Sequence, residues 1–203
     1  MSQTMAAVIA GVSMDKRAYS RLQAELDAAV SRGSISKGEP VPYDEAAKLD
    51  YLQVCMHEAM RMWPNIAIGL PRVVPHGGMT IDGFHLPAGV SVGLNPRQLG
   101  RSEEVFGHDP DTFRPERWLE ASKERRYDME NRNLAFGGPS RRCPGMHLAW
   151  VVMSKVLASF FLEFDVVALN ELDGEAGPGG GRWIEKGAFP LKWFGWEVEL
   201  GDR

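Results

Sequence analysis

Phe136-Gly-Gly-Pro-Ser-Arg-Arg-Cys-Pro-Gly145 runs directly into MHLAWVVMSKVLASFFLEF, residues 146–164. Glycines and prolines on both sides of Cys143 mark a tight loop, and the apolar run after it reads as a helix buried on most sides. Such a loop holds one thiol in a fixed place just before a helix start. Amide N–H groups at a helix start and nearby cations, here Arg141 and Arg142, favour a thiolate. A lone cysteine is more often an inert buried residue. The loop around Cys143 argues for the reactive alternative.

Upstream, DKRAYSRLQAELDAAV (15–30) spaces Tyr19, Leu22, Leu26 and Val30 along one helical face, with Gly33 as its stop. Residues 31–42 are rich in Gly, Ser and Pro and read as a surface connection. YDEAAKLDYLQVCMHEAMRMW (43–63) predicts a short helix and then a longer one closed by Pro64. In the longer helix Glu58 and Arg61 stand at i and i+3. Most pairs of that kind are exposed and contribute little. The runs LPRVV, MTIDGFHL and VSVGL, punctuated by Pro71, Gly77-Gly78, Gly83 and Pro87-Ala88-Gly89, predict a small sheet made of hairpins. Residues 95–118 carry prolines and charges with few apolar repeats, the pattern of an irregular packed meander. Glycine-rich EAGPGGG (175–181) and an aromatic hairpin, RWIEKGAFPLKWFGWEVEL (182–200), complete the chain.

The composition excludes several classes. The 203 residues are 44% hydrophobic and 25% charged, with a formal net charge of −4, so nucleic acid is not an expected partner. Cys55 and Cys143 stand alone, which argues against a disulfide framework. The opening apolar stretch MAAVIAGV (5–12) is too short to span a bilayer and no basic residue precedes it. His57, His76, His85, His108 and His147 show no metal-ligand spacing. They read as surface or packing residues.

The loop FGGPSRRCPG resembles the cysteine loop of cytochromes P450, Phe-x-x-Gly-x-Arg-x-Cys-x-Gly, with Phe136, Arg141, Cys143 and Gly145 on their places. Pro139 stands where the family's usual glycine falls, and Gly138 sits one place earlier; proline fixes φ and removes an N–H. Glu58-Ala-Met-Arg61 and Phe113-Arg-Pro-Glu-Arg117-Trp118 follow the family's order. The resemblance covers essentially everything from about Asp15 onward, and the wording of LDYLQVCMHEAMRMWP and VFGHDPDTFRPERW is similar to P450s of filamentous fungi, which often serve secondary metabolism.

That resemblance implies a mainly α fold with small β-sheets, the C-terminal part of the cytochrome P450 fold with the N-terminal half absent. The whole of 1–203 would form one partial domain. Residues 1–14 would be the remnant of the central helix, starting just after the family's oxygen-activating acid–alcohol pair. Helices would fill 15–63, the small sheet 64–93, the meander 94–135, the haem loop 136–145, the buried helix 146–164 and the terminal hairpin 182–200. Cys143 would be the axial ligand to the iron of haem b, whose electron donation favours O–O cleavage. Phe136 would pack beside the sulfur, Arg141 would reach a haem propionate, Arg72 would do the same or stand as an ordinary exposed strand arginine, and Gly145 would let the backbone pass close to the porphyrin. Glu58, Arg61 and Arg117 would form a structural charge network. The implied activity is oxygen insertion from O2 into a small organic substrate with electrons from NADPH-cytochrome P450 reductase, a second chain being a candidate to supply the N-terminal half. The alternative is a non-catalytic module that binds a partner or haem, or an inactive truncated product. No membrane anchor is read in this chain, and the expected location is the cytoplasm or the cytosolic face of the endoplasmic reticulum. Residues 66–70 and the hairpin near Phe189 would lie along the substrate pocket.

Overall fold

The computed structural model describes residues 1–169, 184–186, 192–194 and 198–203. The opening apolar stretch becomes helix α1 (Ser2–Met14), with Ala7, Val8, Ala10, Gly11 and Val12 buried. It lies inside the core because it offers no strongly polar side to water. Asp15 ends it in extended backbone and caps the next helix, α2 (Lys16–Ser31), by accepting from the amides of Arg17 and Ala18 at 2.9 and 3.0 Å. The inward stripe of α2 is Ala18, Leu22, Leu26 and Ala29. Val30, expected on that face, is exposed, because the stripe closes on Ala29 one residue earlier. Gly33 then takes φ +72° just past the helix end.

Helices α3 (Tyr43–Ala46) and α4 (Asp50–Met62) follow the predicted short-then-long order. Nearly every residue of α4 is buried, from Tyr51 and Leu52 to Met60 and Met62. It packs against α1 and forms the centre of the core. Strand β1 (Arg72–Val73) pairs antiparallel with β4 (Ser91–Val92), and β2 (Met79–Ile81) with β3 (Phe84–Leu86). The β2–β3 hairpin turns on Asp82 and Gly83, both at positive φ, 49° and 79°, as a two-residue turn matched to strand twist requires. Ile68, Leu70, Val73, Ile81, Phe84 and Leu94 of this region are exposed.

The meander is more helical than its sequence suggests. It contains α5 (Pro96–Leu99), α6 (Glu103–Phe106), α7 (Glu116–Glu120) and the ten-residue α8 (Lys123–Arg132). Helix α8 buries only Met129 and so has no apolar period to read. It is held by the Ser122 cap and by Arg126–Glu130 and Asp128–Arg132 pairs at i and i+4.

The buried helix expected over 146–164 is α9 (Met146–Glu163), and Phe164 leaves it for extended backbone. Phe164 starts β5 (Phe164–Ala168), which pairs with β8 (Val198–Asp202) in antiparallel register, Phe164 opposite Asp202. Helix α9 is long and apolar enough to cross a membrane by length and composition. One face of it, Ala149, Met153, Leu157, Phe161 and Leu162, is buried in this core. Strands β6 (Ile184–Lys186) and β7 (Lys192–Phe194) pair antiparallel within the expected hairpin. EAGPGGG and Phe189 lie outside the described residues.

Candidate functional site

The Cys143 loop is built from two tight turns. Leu134–Phe136 forms one turn of 3-10 helix, Gly137 follows at φ +79°, and Pro139–Arg141 forms a second turn. A side chain at Gly137 would meet the Arg141 carbonyl oxygen at 3.0 Å and force an unfavourable left-handed backbone. Positive φ is therefore supplied at Gly137. Pro139 sits at the start of the second turn, where a missing N–H and a fixed φ are tolerated. The loop closes on itself through the Cys143 amide, which donates to the Phe136 carbonyl at 2.8 Å. Gly145 then caps α9. Cys143 is a free, exposed thiol. A Cβ at Gly145 would stand 3.9 Å from its Sγ, so glycine leaves room beside the sulfur.

Cys143 and Gly145 open into a cavity of about 350 Å³. Its walls are Phe136 from the loop, Leu148, Ala149 and Met153 from α9, Met60 from α4, Ile66 after it, and Met1 and Thr4 at the start of α1. A haem of this kind needs an accessible cysteine sulfur, apolar walls against the ring faces and space near the sulfur. All three are present, and the residues fit the group. Phe136 also meets the indole of Trp150 edge-on, with ring centroids 6.3 Å apart.

The structure does not bring every expected residue to this cavity. Arg141 is exposed on the loop and does not line it. Arg72 is exposed on β1 and donates to the carbonyls of Leu70 and Pro71 at 3.2 and 3.0 Å. Neither guanidinium makes an ion pair among the described residues, so both are available to an anionic group. Two polar residues of the wall, Thr4 and Asn65, escaped the sequence reading. Thr4, near the start of α1, reaches the cavity. Its position in an apolar helix was the available signal.

Behind the loop a broader groove of about 650 Å³ is lined by His57, Arg126, Glu130, Arg142, His147 and Trp150, among others. His57 packs between two indoles, with ring centroids 5.0 Å from Trp118 and 4.8 Å from Trp150. Burial there pushes its imidazole down to about 4.

Glu58, Arg61 and Arg117 come together in the core. Glu58 Oε1 accepts from Arg61 Nη2 at 2.8 Å and from the Arg114 amide and Arg117 Nε at 2.9 Å each. Its Oε2 accepts from Arg61 Nε and Trp118 Nε1, both at 2.9 Å. Arg61 spends its other N–H groups on the carbonyls of Gly100, Pro110 and Thr112. Arg117 does the same with Phe106, Asp109 and Thr112 and pairs with the Asp109 carboxylate. Burial opposes the charge on Glu58, but the hydrogen bonds and positive charge of Arg61, then Arg117, outweigh it and hold the carboxyl below its usual range. Asp109 is lowered to about 2, first by its hydrogen bond from Arg114 and also by Arg117. The network ties α4 to the meander that leads into the Cys143 loop.

The sequence profile of the cytochrome P450 family matches residues 1–176. Among curated proteins, the cytochrome P450 monooxygenase ACRTS1 of Alternaria alternata is 41% identical over 72% of this chain and 38% of its own length. Monooxygenase sdnT of Sordaria araneosa is 42% identical over 63% of this chain and 23% of its own length. Monooxygenase mpaDE of Penicillium roqueforti is 36% identical over 83% of this chain and 20% of its own length. The chain thus matches between a fifth and two fifths of the length of these fungal relatives. With a family profile that spans the α4 network, the meander and the Cys143 loop, the chain belongs to the cytochrome P450 family.

Proposed function

We propose that Cys143 is the axial ligand of haem b in a fungal haem-thiolate monooxygenase that inserts one atom of O2 into a small organic substrate, in secondary metabolism. The observation that carries this reading is the exposed Cys143 thiol in the wall of a mostly apolar cavity. When bound, the haem supplies the reductive activation of O2, with the thiolate favouring O–O cleavage.

The chain's own residues have separate tasks. The Cys143 sulfur would hold the iron, with Phe136 beside it in the same cavity wall. Gly145 leaves the space in which a ring can approach. Arg141 and Arg72, without carboxylate partners among the described residues, would offer guanidinium groups to the propionates. Met60, Ile66, Leu148 and Met153 of the cavity wall exclude water. Glu58, Arg61 and Arg117 hold the meander and with it the loop. Electrons would come from NADPH-cytochrome P450 reductase, which places the working protein at the cytosolic face of the endoplasmic reticulum or in the cytoplasm. The exposed apolar face of the β1–β4 region is where further P450 polypeptide, on this chain or a second one, would pack.

The test is the carbon monoxide difference spectrum of the reduced, haem-supplied protein. A thiolate-type band is expected for the wild type and its loss for Cys143→Ala. Because Cys143 is exposed, the substitution should change unfolding free energy by no more than about 0.5 kcal/mol. A folded wild type without the band would end the haem reading.

A further inference from the structure

Phe136 closes the loop on Cys143, because its carbonyl accepts the Cys143 amide at 2.8 Å. With Met60 and Ala135 it borders both the Cys143 cavity and the broader groove behind the loop. Whatever fixes Phe136 on the groove side therefore bears on where the sulfur stands.

Trp150 of α9 does this, its indole meeting the Phe136 ring edge-on at 6.3 Å between centroids. Such a contact is directional but weak. The indole plane is set by a polar anchor, since Trp150 Nε1 donates to Gln53 Oε1 at 2.8 Å. Gln53 is in turn held at the other end of its amide, where Nε2 donates to the Ala46 carbonyl at 2.9 Å and to Ser154 Oγ at 3.4 Å. One turn further along α4, His57 packs on the same indole at 4.8 Å. Its carbonyl accepts from Asn133 Nδ2 at 3.2 Å, directly before the first turn of the loop. Gln53, His57 and Met60 stand at i, i+4 and i+7, so one face of α4 carries all of these contacts.

Groups that do not touch a metal still orient its ligands and set the polarity around them, and so tune its reduction potential. We propose that Gln53 and Trp150 are positioning residues for the iron ligand. Their hydrogen bond fixes Phe136, and through the Phe136–Cys143 backbone bond it fixes the sulfur and the potential of the bound iron. The inference rests on the haem-thiolate reading and adds to it the route by which α4 reaches the ligand.

The test uses the full chain as wild type, Gln53→Met, Trp150→Phe and the double variant, with circular dichroism and urea unfolding of each. Trp150→Phe keeps a ring and removes the donor, and Gln53→Met keeps the length and removes the acceptor. In haem-supplied protein each single variant should shift the midpoint potential in the same direction. The double variant should shift it by less than the sum, because both changes break one bond. In haem-free protein, exchange of the Cys143 amide should quicken about twofold to tenfold in each variant, the loss of one neutral hydrogen bond. A potential unmoved in either single variant, shifts that add, or an amide exchanging at the wild-type rate overturns the proposal. Lower unfolding stability with an unmoved potential does so too, since it marks a merely structural bond. The carbon monoxide spectrum separates the two claims. An intact thiolate band with wild-type potential and exchange in the variants removes the positioning role alone, and a wild type without the band removes the haem reading on which it rests.

Discussion

Trp118 donates its indole N–H to Glu58 Oε2 at 2.9 Å, and both side chains are fully buried. It is the fifth hydrogen bond to one carboxylate, and the one supplied by a neutral ring. A bond to a buried charge is worth more than a neutral pair, about 1.5–3 kcal/mol. Trp118→Phe keeps most of the ring and removes the donor. Urea unfolding should show a loss in that range; a loss below about 0.5 kcal/mol would mean that the arginines alone satisfy Glu58.

Glu58→Gln should be far more damaging than Trp118→Phe. The carboxylate lies between two guanidinium groups whose side chains are 0% and 2% exposed. Without its charge, Arg61 is left as a buried cation and Arg117 keeps only the Asp109 carboxylate. Breaking a buried pair in this way costs about 3–5 kcal/mol, a large part of the total stability of a domain. The expected result is protein that fails to accumulate in folded form, or whose thermal midpoint drops steeply. Arg61→Lys should not rescue it, because the three N–H groups of one ammonium cannot replace the five bonds Arg61 makes to residue 58 and to the carbonyls of Gly100, Pro110 and Thr112.

Gly69→Ala tests a backbone crossing. A Cβ there would lie 1.6 Å from the Leu94 carbonyl oxygen, so one of the two segments flanking the β1–β4 pair must move. Overpacking against backbone costs about 1–3 kcal/mol. The movement should be local. Hydrogen exchange of the Val74 amide, which donates to Val90 at 2.8 Å, should accelerate while amides of α9 stay protected.

The sequence made some of this visible and hid the rest for physical reasons. Helices α2, α4 and α9 announce themselves through apolar spacing, and Asp82-Gly83 through turn chemistry. Helix α8 does not, since charge pairs and a serine cap hold it and only Met129 faces inward. Phe164 looks like a continuation of α9 because an aromatic residue suits either state; its pairing with Asp202 across the chain decides for strand. At the site, Cys143 is legible because a glycine and proline loop is a local pattern. Thr4 and Asn65 lie 139 and 78 positions before it in the numbering. Their meeting in one cavity depends on α1 and α4 packing side by side, which no local pattern encodes.

His57 sets the acid side of the stability curve. Its imidazole is pushed down to about 4 from an ordinary 6.5 by burial between Trp118 and Trp150. In the unfolded chain it takes up a proton as pH falls through 6.5, whereas in the folded chain it stays neutral until about 4. The unfolded state binds more protons across that window, so stability falls with falling pH there and is complete above it. The full effect is on the order of 3 kcal/mol. Glu130 favours the proton on His57 and Arg126 opposes it, both from α8, so their charges partly offset. The lowered carboxyls of Glu58 and Asp109 take effect as pH falls through their ordinary values of 4.5 and 3.8, at the foot of this window and below about pH 5. Urea unfolding of wild type and His57→Phe at about pH 7, 6 and 5 isolates the term. The wild type should lose stability over that series, and the variant, with no group to titrate, should lose distinctly less. Parallel losses in the two proteins would show that His57 is not the group responsible.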